Sequence, residues 1–310
     1  MSKTSESWLE GPSSTSFYTR LYTPTSVSDG SPRAVIVFIH GYDEHICRYE
    51  NFHRAWASRG FSVFTFDLRG FGRTALDETH RSPGSVYGKM GTVLGDVEWA
   101  VRYVSEAFGK EVPVYLMGHS MGGGIVLDFI ANQTNARDPR SIALLSGVIA
   151  SSPWIRLTRP PPSLAVWGIS LISKVFPDIH FSTPVRPEAI SHDLSIGEAL
   201  VTDPWVREYG TYQSVSDRFT AGIRLATEDY KHWPKDLPLL MLHGTADDLN
   251  LCPASEDFFK KVDALDKRLI LYPDAYHDLM TEPDIKEKYL EDCISWVESH
   301  LSSIEAMMET

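Results

Sequence analysis

Six short, nearly unbroken apolar runs, at 34–39, 61–66, 112–117, 147–150, 239–242 and 268–272, alternate with segments of helical period. The helical segments lie at 48–58, 91–107, 121–131, 255–262 and 289–301. A strand that is apolar at nearly every position must be buried on both faces, and only a sheet covered by helices on each side provides that. The alternation therefore predicts an α/β fold with a mainly parallel central sheet and helices on both faces. Residues 17–23 add a strand at the beginning.

The alternation breaks between about 153 and 235, where Pro160-Pro161-Pro162 opens a stretch with helical patterns and no convincing strand. We read this stretch as a helical cap inserted between two sheet strands. The expected organisation is a polar N-terminal segment over 1–16, a core over 17–152 and 236–303, and a cap over 153–235. A chain of 310 residues accommodates this as one unit with an insertion.

Charge excludes some functions. Lys and Arg number 29 against 41 Asp and Glu, a net charge of -12, so no nucleic-acid partner is expected. An anionic membrane would repel the chain on average, which leaves a local apolar patch as the means of lipid contact. The 3 cysteines, Cys47, Cys252 and Cys293, are too few for a disulfide framework and are expected as free thiols in a reducing compartment. Residues 1–16 lack the basic start and apolar run of a secretory signal, and no segment reaches membrane-spanning length, so a cytoplasmic location is expected. Nothing in the sequence sets an oligomeric state.

The chemistry concentrates in a few turns. Gly118-His119-Ser120-Met121-Gly122 directly follows a strand and precedes a helix, the context in which a G-x-S-x-G serine stands exposed as a nucleophile. Without that context the motif is weak, and a serine there would merely cap a helix. A serine hydroxyl needs a histidine to take its proton and an acid to orient that histidine. Among 11 histidines, His277 alone follows the last strand within a few residues. Asp247, after the strand at 239–242, is the expected acid; Asp248 competes closely, and Asp274 and Asp278 less so because they share the histidine's loop. Two backbone N–H groups must hold the developing oxyanion, and Met121 and Tyr42 supply them by position. Asp67 to Gly72 reads as structural, a charged pair and glycines packing a loop beneath the site.

Five separated motifs fall in order: His40-Gly41-Tyr42-Asp43-Glu44-His45 with Arg48-Tyr49, the run 67–72, Gly118 to Gly123, His243 to Asp247, and Ala275-Tyr276-His277. Together they make the chain, over about residues 17–301, resemble the monoacylglycerol lipases. The resemblance implies the α/β-hydrolase fold, a triad of Ser120, Asp247 and His277, and an oxyanion hole from the amides of Tyr42 and Met121. It implies a small lipid ester, a monoacylglycerol, as substrate, with no cofactor and no metal. The family usually has a small or apolar residue and then glycine where this chain has Tyr42-Asp43, a change that would narrow or polarise the alcohol end of the pocket. Rival readings are an esterase or lysophospholipase of the same fold and, from another class, a noncatalytic binding protein.

Residues 163–176 (SLAVWGISLISKVF) are apolar around most of a helix, with Ser163, Ser170, Ser173 and Lys174 as a narrow polar stripe. Such a helix either packs on the core or dips into a membrane or lipid-droplet surface as a peripheral contact.

Overall fold

The computed structural model describes residues 2–25, 31–82, 89–133 and 138–308, with side chains as far as Leu301. Two strands open it, Ser2–Gly11 (β1) and Thr15–Pro24 (β2), paired antiparallel along their whole length. Next come the fully buried Val35–Ile39 (β3), the helix Glu50–Ser58 (α1) and the fully buried Ser62–Phe66 (β4). A short helix, Gly72–Leu76 (α2), and a long one, Met90–Phe108 (α3), lead to Val114–His119 (β5) and directly into Met121–Ala131 (α4). Pro139–Ile142 (α5) and Leu145–Ser151 (β6) complete the first part of the core.

The segment between β6 and the next sheet strand carries Ser163–Ser173 (α6), His180–Ser182 (β7), Leu194–Thr202 (α7), Tyr209–Thr211 (β8) and Tyr212–Thr227 (α8). The chain then returns through Leu239–Gly244 (β9), Cys252–Lys261 (α9), Lys267–Tyr272 (β10) and Lys286–Met308 (α10). The main sheet has 8 strands in the order β1-β2-β4-β3-β5-β6-β9-β10, parallel from β4 to β10. One apolar cluster unites α3, α4 and α9 with one face of the sheet, and a second packs α1 and α10 on the other. This is the α/β-hydrolase architecture.

The structure departs from the sequence reading in four places. Residues 2–11 form an edge strand where only a polar segment is legible, because β1 is held by its ladder to β2 and by rings such as Trp8 against Tyr18, not by an apolar run. The insertion does contain strands: β7 and β8 pair antiparallel, but at 3 residues each they are too short to leave a period. Helix α6 ends at Ser173, not at 176, and Ser173 turns inward, its hydroxyl donating to the carbonyl of Ser170. Asp67 and Arg69 are not a pair: Asp67 accepts the backbone N–H groups of Ile46 and Arg73, while Arg69 bridges to buried Asp96. All three cysteines are free.

The chain leaves β3 toward β4 on one side and comes back to pair β5 on the other. At such a switch point the loops after two neighbouring strands diverge and leave a crevice at the carboxyl edge. The loop after β3 begins at His40 and the turn after β5 at Ser120, so the crevice lies between them.

Candidate active site

Ser120 occupies the single residue between β5 and α4, at φ 55° and ψ −117°. No β-carbon fits at the two flanking glycines: one on Gly118 would overlap the carbonyl of Gly122, and one on Gly122 the carbonyl of Ile39. The turn is secured by its backbone. Ser120 donates its N–H to the carbonyl of Ser151 at 2.9 Å, and its own carbonyl accepts from Gly124 and Trp154. The hydroxyl is thereby pushed toward the crevice, with the serine 9% exposed.

His277 Nε2 lies 2.8 Å from Ser120 Oγ, and His277 Nδ1 lies 2.8 Å from Asp247 Oδ2. The structure thus brings together the three side chains singled out from the sequence, each from a loop at the carboxyl edge of the sheet. Asp247 Oδ1 accepts the N–H groups of Leu249 and Asn250 at 2.8 and 2.9 Å, which orients the carboxylate. Burial acts against both charges, lowering the imidazole and raising the acid. Their mutual attraction outweighs it, with help from Asp278 and Glu44 at the histidine: His277 is held above its ordinary value and Asp247 below the carboxylate range.

The competing acids are engaged elsewhere. Asp248 faces Arg186 and Arg159 at 2.6 and 2.7 Å, and Asp274 is exposed. Asp278 is buried beside the histidine, where desolvation pushes its carboxyl up to about 6, and it accepts the N–H of Met280 within its own loop.

The early loop is fixed by its own polar groups. Burial pushes His40 down to about 3, so its ring is neutral; Nε2 accepts the N–H of Leu68, and Nδ1–H donates to the Gly41 carbonyl at 2.7 Å. No peptide in the described chain is cis, so the Tyr42 N–H points the opposite way from that carbonyl. Gly41 N–H is taken up by Glu44 and Tyr49 at 3.1 and 3.2 Å. Met121 N–H stands at the first turn of α4, among the donors that a helix leaves without an internal acceptor. Asp43 does not line the cavity in front of Ser120; desolvation, with Glu208 and Glu44 nearby, pushes its carboxyl up to about 9. Tyr42 does line it, its hydroxyl 2.7 Å from Thr183 Oγ1 in the insertion. The Tyr42 side chain is therefore part of the cavity wall, while Asp43 is not.

That cavity measures about 380 Å³ and is lined by Ser120 and His277 together with Trp154, Ile169, Val215 and Phe219. It is mostly apolar, as a pocket for an acyl chain must be. Among the described residues, no group of His, Cys, Asp and Glu is placed to hold a metal ion. Sequence reasoning missed His243, whose Nε2 lies 3.0 Å from Asp247 Oδ2. The signal was present, since the histidine stands four positions before the aspartate in the same motif, but only the coordinates bend it back onto the acid.

A parallel sheet with a serine on the sharp turn between a buried strand and its helix defines a serine hydrolase of the α/β-hydrolase class. The family described as serine aminopeptidase, S33 matches residues 30–284. A Schizosaccharomyces pombe protein, provisionally named a monoglyceride lipase, is 34% identical over 90% of this chain and 71% of its own. The Saccharomyces cerevisiae monoglyceride lipase is 28% identical, covering 91% of this chain and 90% of that protein. A crystal structure of a soluble variant of monoglyceride lipase from S. cerevisiae, in complex with a substrate analog, gives a TM-score of 0.81 at 26% identity over 96% of this chain and 94% of that one. The chain belongs to this serine hydrolase family and, within it, to the monoglyceride lipases.

Proposed function

We propose that the protein hydrolyses the single ester of a monoacylglycerol to a fatty acid and glycerol through an acyl-enzyme on Ser120. The observation that carries this reading is the hydrogen-bonded line from Ser120 through His277 to Asp247, with Ser120 and His277 in the wall of an apolar cavity. Ser120 Oγ attacks the ester carbonyl as His277 Nε2 takes its proton, and Asp247 stabilises the imidazolium. The N–H groups of Tyr42 and Met121 hold the tetrahedral oxyanion, where a single donor is worth about 3 kcal/mol. His277 then returns the proton to the glycerol oxygen as the C–O bond breaks. Water, deprotonated by His277, repeats the attack and releases the fatty acid.

Residues 153–235 act in this reading as a cap that shapes acyl selection, and α6 as its contact with lipid. Leu164, Trp167 and Leu171 on α6 are 76%, 62% and 49% exposed, and Val175, Phe176 and Ile179 continue the patch. Apolar groups gathered so on a soluble face favour an interface, here a membrane or lipid droplet met from the cytoplasm. Among the described residues no helix is long and apolar enough to cross a membrane, and the contact proposed is a peripheral one.

Hydrolysis rates measured across mono-, di- and triacylglycerols test the assignment. Monoacylglycerol is the expected preferred substrate, because Tyr42 and the insertion confine the cavity; equal or faster turnover of triacylglycerol would overturn it. Labelling at Ser120 by a fluorophosphonate probe separates an enzyme from a noncatalytic binding protein.

A further inference from the structure

Asp247 Oδ2 meets two imidazoles, His277 Nδ1 at 2.8 Å and His243 Nε2 at 3.0 Å. The second of these histidines is part of β9, and neither its side chain nor that of Asp247 has any exposed surface. Its Nδ1 lies 2.8 Å from the hydroxyl of Ser255 on α9, and its Nε2 lies 3.2 Å from the carbonyl oxygen of Asn250 as well as beside Asp247. An ionised carboxylate and a carbonyl can only accept, so Nε2 carries the proton. The Ser255 hydroxyl against Nδ1 holds the ring in that orientation.

We propose that His243 is a positioning residue for ester hydrolysis: its Nε2–H holds the oxygen of Asp247 that also orients His277, and so sets how the imidazole meets Ser120. The proposal rests on the triad reading given above. With Leu249 and Asn250 on Oδ1 and two imidazoles on Oδ2, the carboxylate has four donors and cannot swing without losing one. His243 also draws on the charge with which Asp247 stabilises the imidazolium. Removing that donor leaves more of the charge to His277 and raises the pH at which His277 loses its proton. The other groups facing His277 are His119 from β5, with rings 4.9 Å apart, Glu44 from the loop after β3, and its neighbour Asp278. Arg48 lies near Asp278 and His119. All of these remain in the variants below.

The test compares His243→Leu, His243→Gln and Ser255→Ala in the full chain, using a water-soluble ester, p-nitrophenyl butyrate. Fold is checked by circular dichroism. His243→Leu is expected to lower kcat by about ten- to a hundredfold, as loss of an outer hydrogen bond on a functional ligand does elsewhere, with KM within about twofold. The acid limb of kcat/KM moves to higher pH, and the downfield proton resonance of the His277 Nδ1–H moves with it. His243→Gln, which keeps an N–H within reach of Asp247, restores most of kcat and the wild-type limb. Ser255→Ala gives a smaller shift of the limb in the same direction.

A folded His243→Leu with unchanged kcat and limb overturns the proposal, as does His243→Gln as impaired as His243→Leu, which would mean that only volume matters. If His243→Leu does not fold, the other two variants decide: a wild-type limb in Ser255→Ala overturns the proposal, and a shifted limb with a near-normal His243→Gln supports it. Ser120→Ala, run alongside, separates the two levels. Retained turnover there sinks the triad reading itself, whereas an inactive Ser120→Ala with an unaffected His243→Leu sinks only the role of His243.

Discussion

Ser120 has a backbone that L-residues rarely adopt, at a cost of about 1–3 kcal/mol, and three backbone hydrogen bonds hold it there. Such strain is useful only if the hydroxyl does chemistry. Ser120→Ala and His277→Ala are each expected to lower kcat by several orders of magnitude, on the order of a million-fold at most, with the thermal transition little changed. Near-normal turnover in either would refute the assignment. The pH dependence follows from His277. Its pKa in the folded protein is raised by Asp247 beyond what burial takes away, and only the neutral ring can accept the serine proton. Activity is therefore absent at acid pH and grows as pH climbs through a value above the ordinary 6.5, a midpoint that the acid limb of kcat/KM measures directly. A midpoint well below 6.5 would contradict the pairing with Asp247.

At the scale of elements, the strand–turn–helix around Ser120 is the unit that could least be built from other residues. Gly122→Ala drives a methyl into the carbonyl of Ile39 on the neighbouring strand, and backbone there cannot retreat without parting β3 from β5. The expected loss is about 3 kcal/mol or more of stability, read from denaturant unfolding, together with activity. Helix α4 was legible to the residue, 121–131, because its limits are set by the serine turn before it and by the end of a solid apolar run. The N-terminal strand was not legible, since β1 needs no apolar stripe when its whole length is laddered to β2. The same holds for β7 and β8, whose pairing depends on a partner 31 positions away by register, His180 with Thr211. Helix α6 was legible as a helix, yet its amphipathic sense was not: Ser173 faces in, and Leu164 and Trp167 face out.

Over the whole molecule, the outward apolar patch of α6 sits on a chain of net charge -12, so the lipid contact proposed above calls for burial of apolar groups rather than attraction of charge. Replacing Trp167 and Leu171 together by serine is expected to lower hydrolysis of monoacylglycerol in vesicles or emulsions severalfold while sparing a water-soluble ester. Equal losses on both substrates would place the defect in the pocket instead. The sequence by itself determined the class of fold and narrowed the candidate chemistry to Ser120, His277 and a few acids led by Asp247. Short apolar runs that alternate with segments of helical period mark buried strands, and the order of motifs along the chain is a one-dimensional signal. Tertiary structure alone decided which acid faces His277, that His243 shares it, and that Tyr42 reaches Thr183 across the cavity. Those facts depend on how loops from distant strands converge at the switch point of the sheet, and convergence in space leaves no period in a sequence.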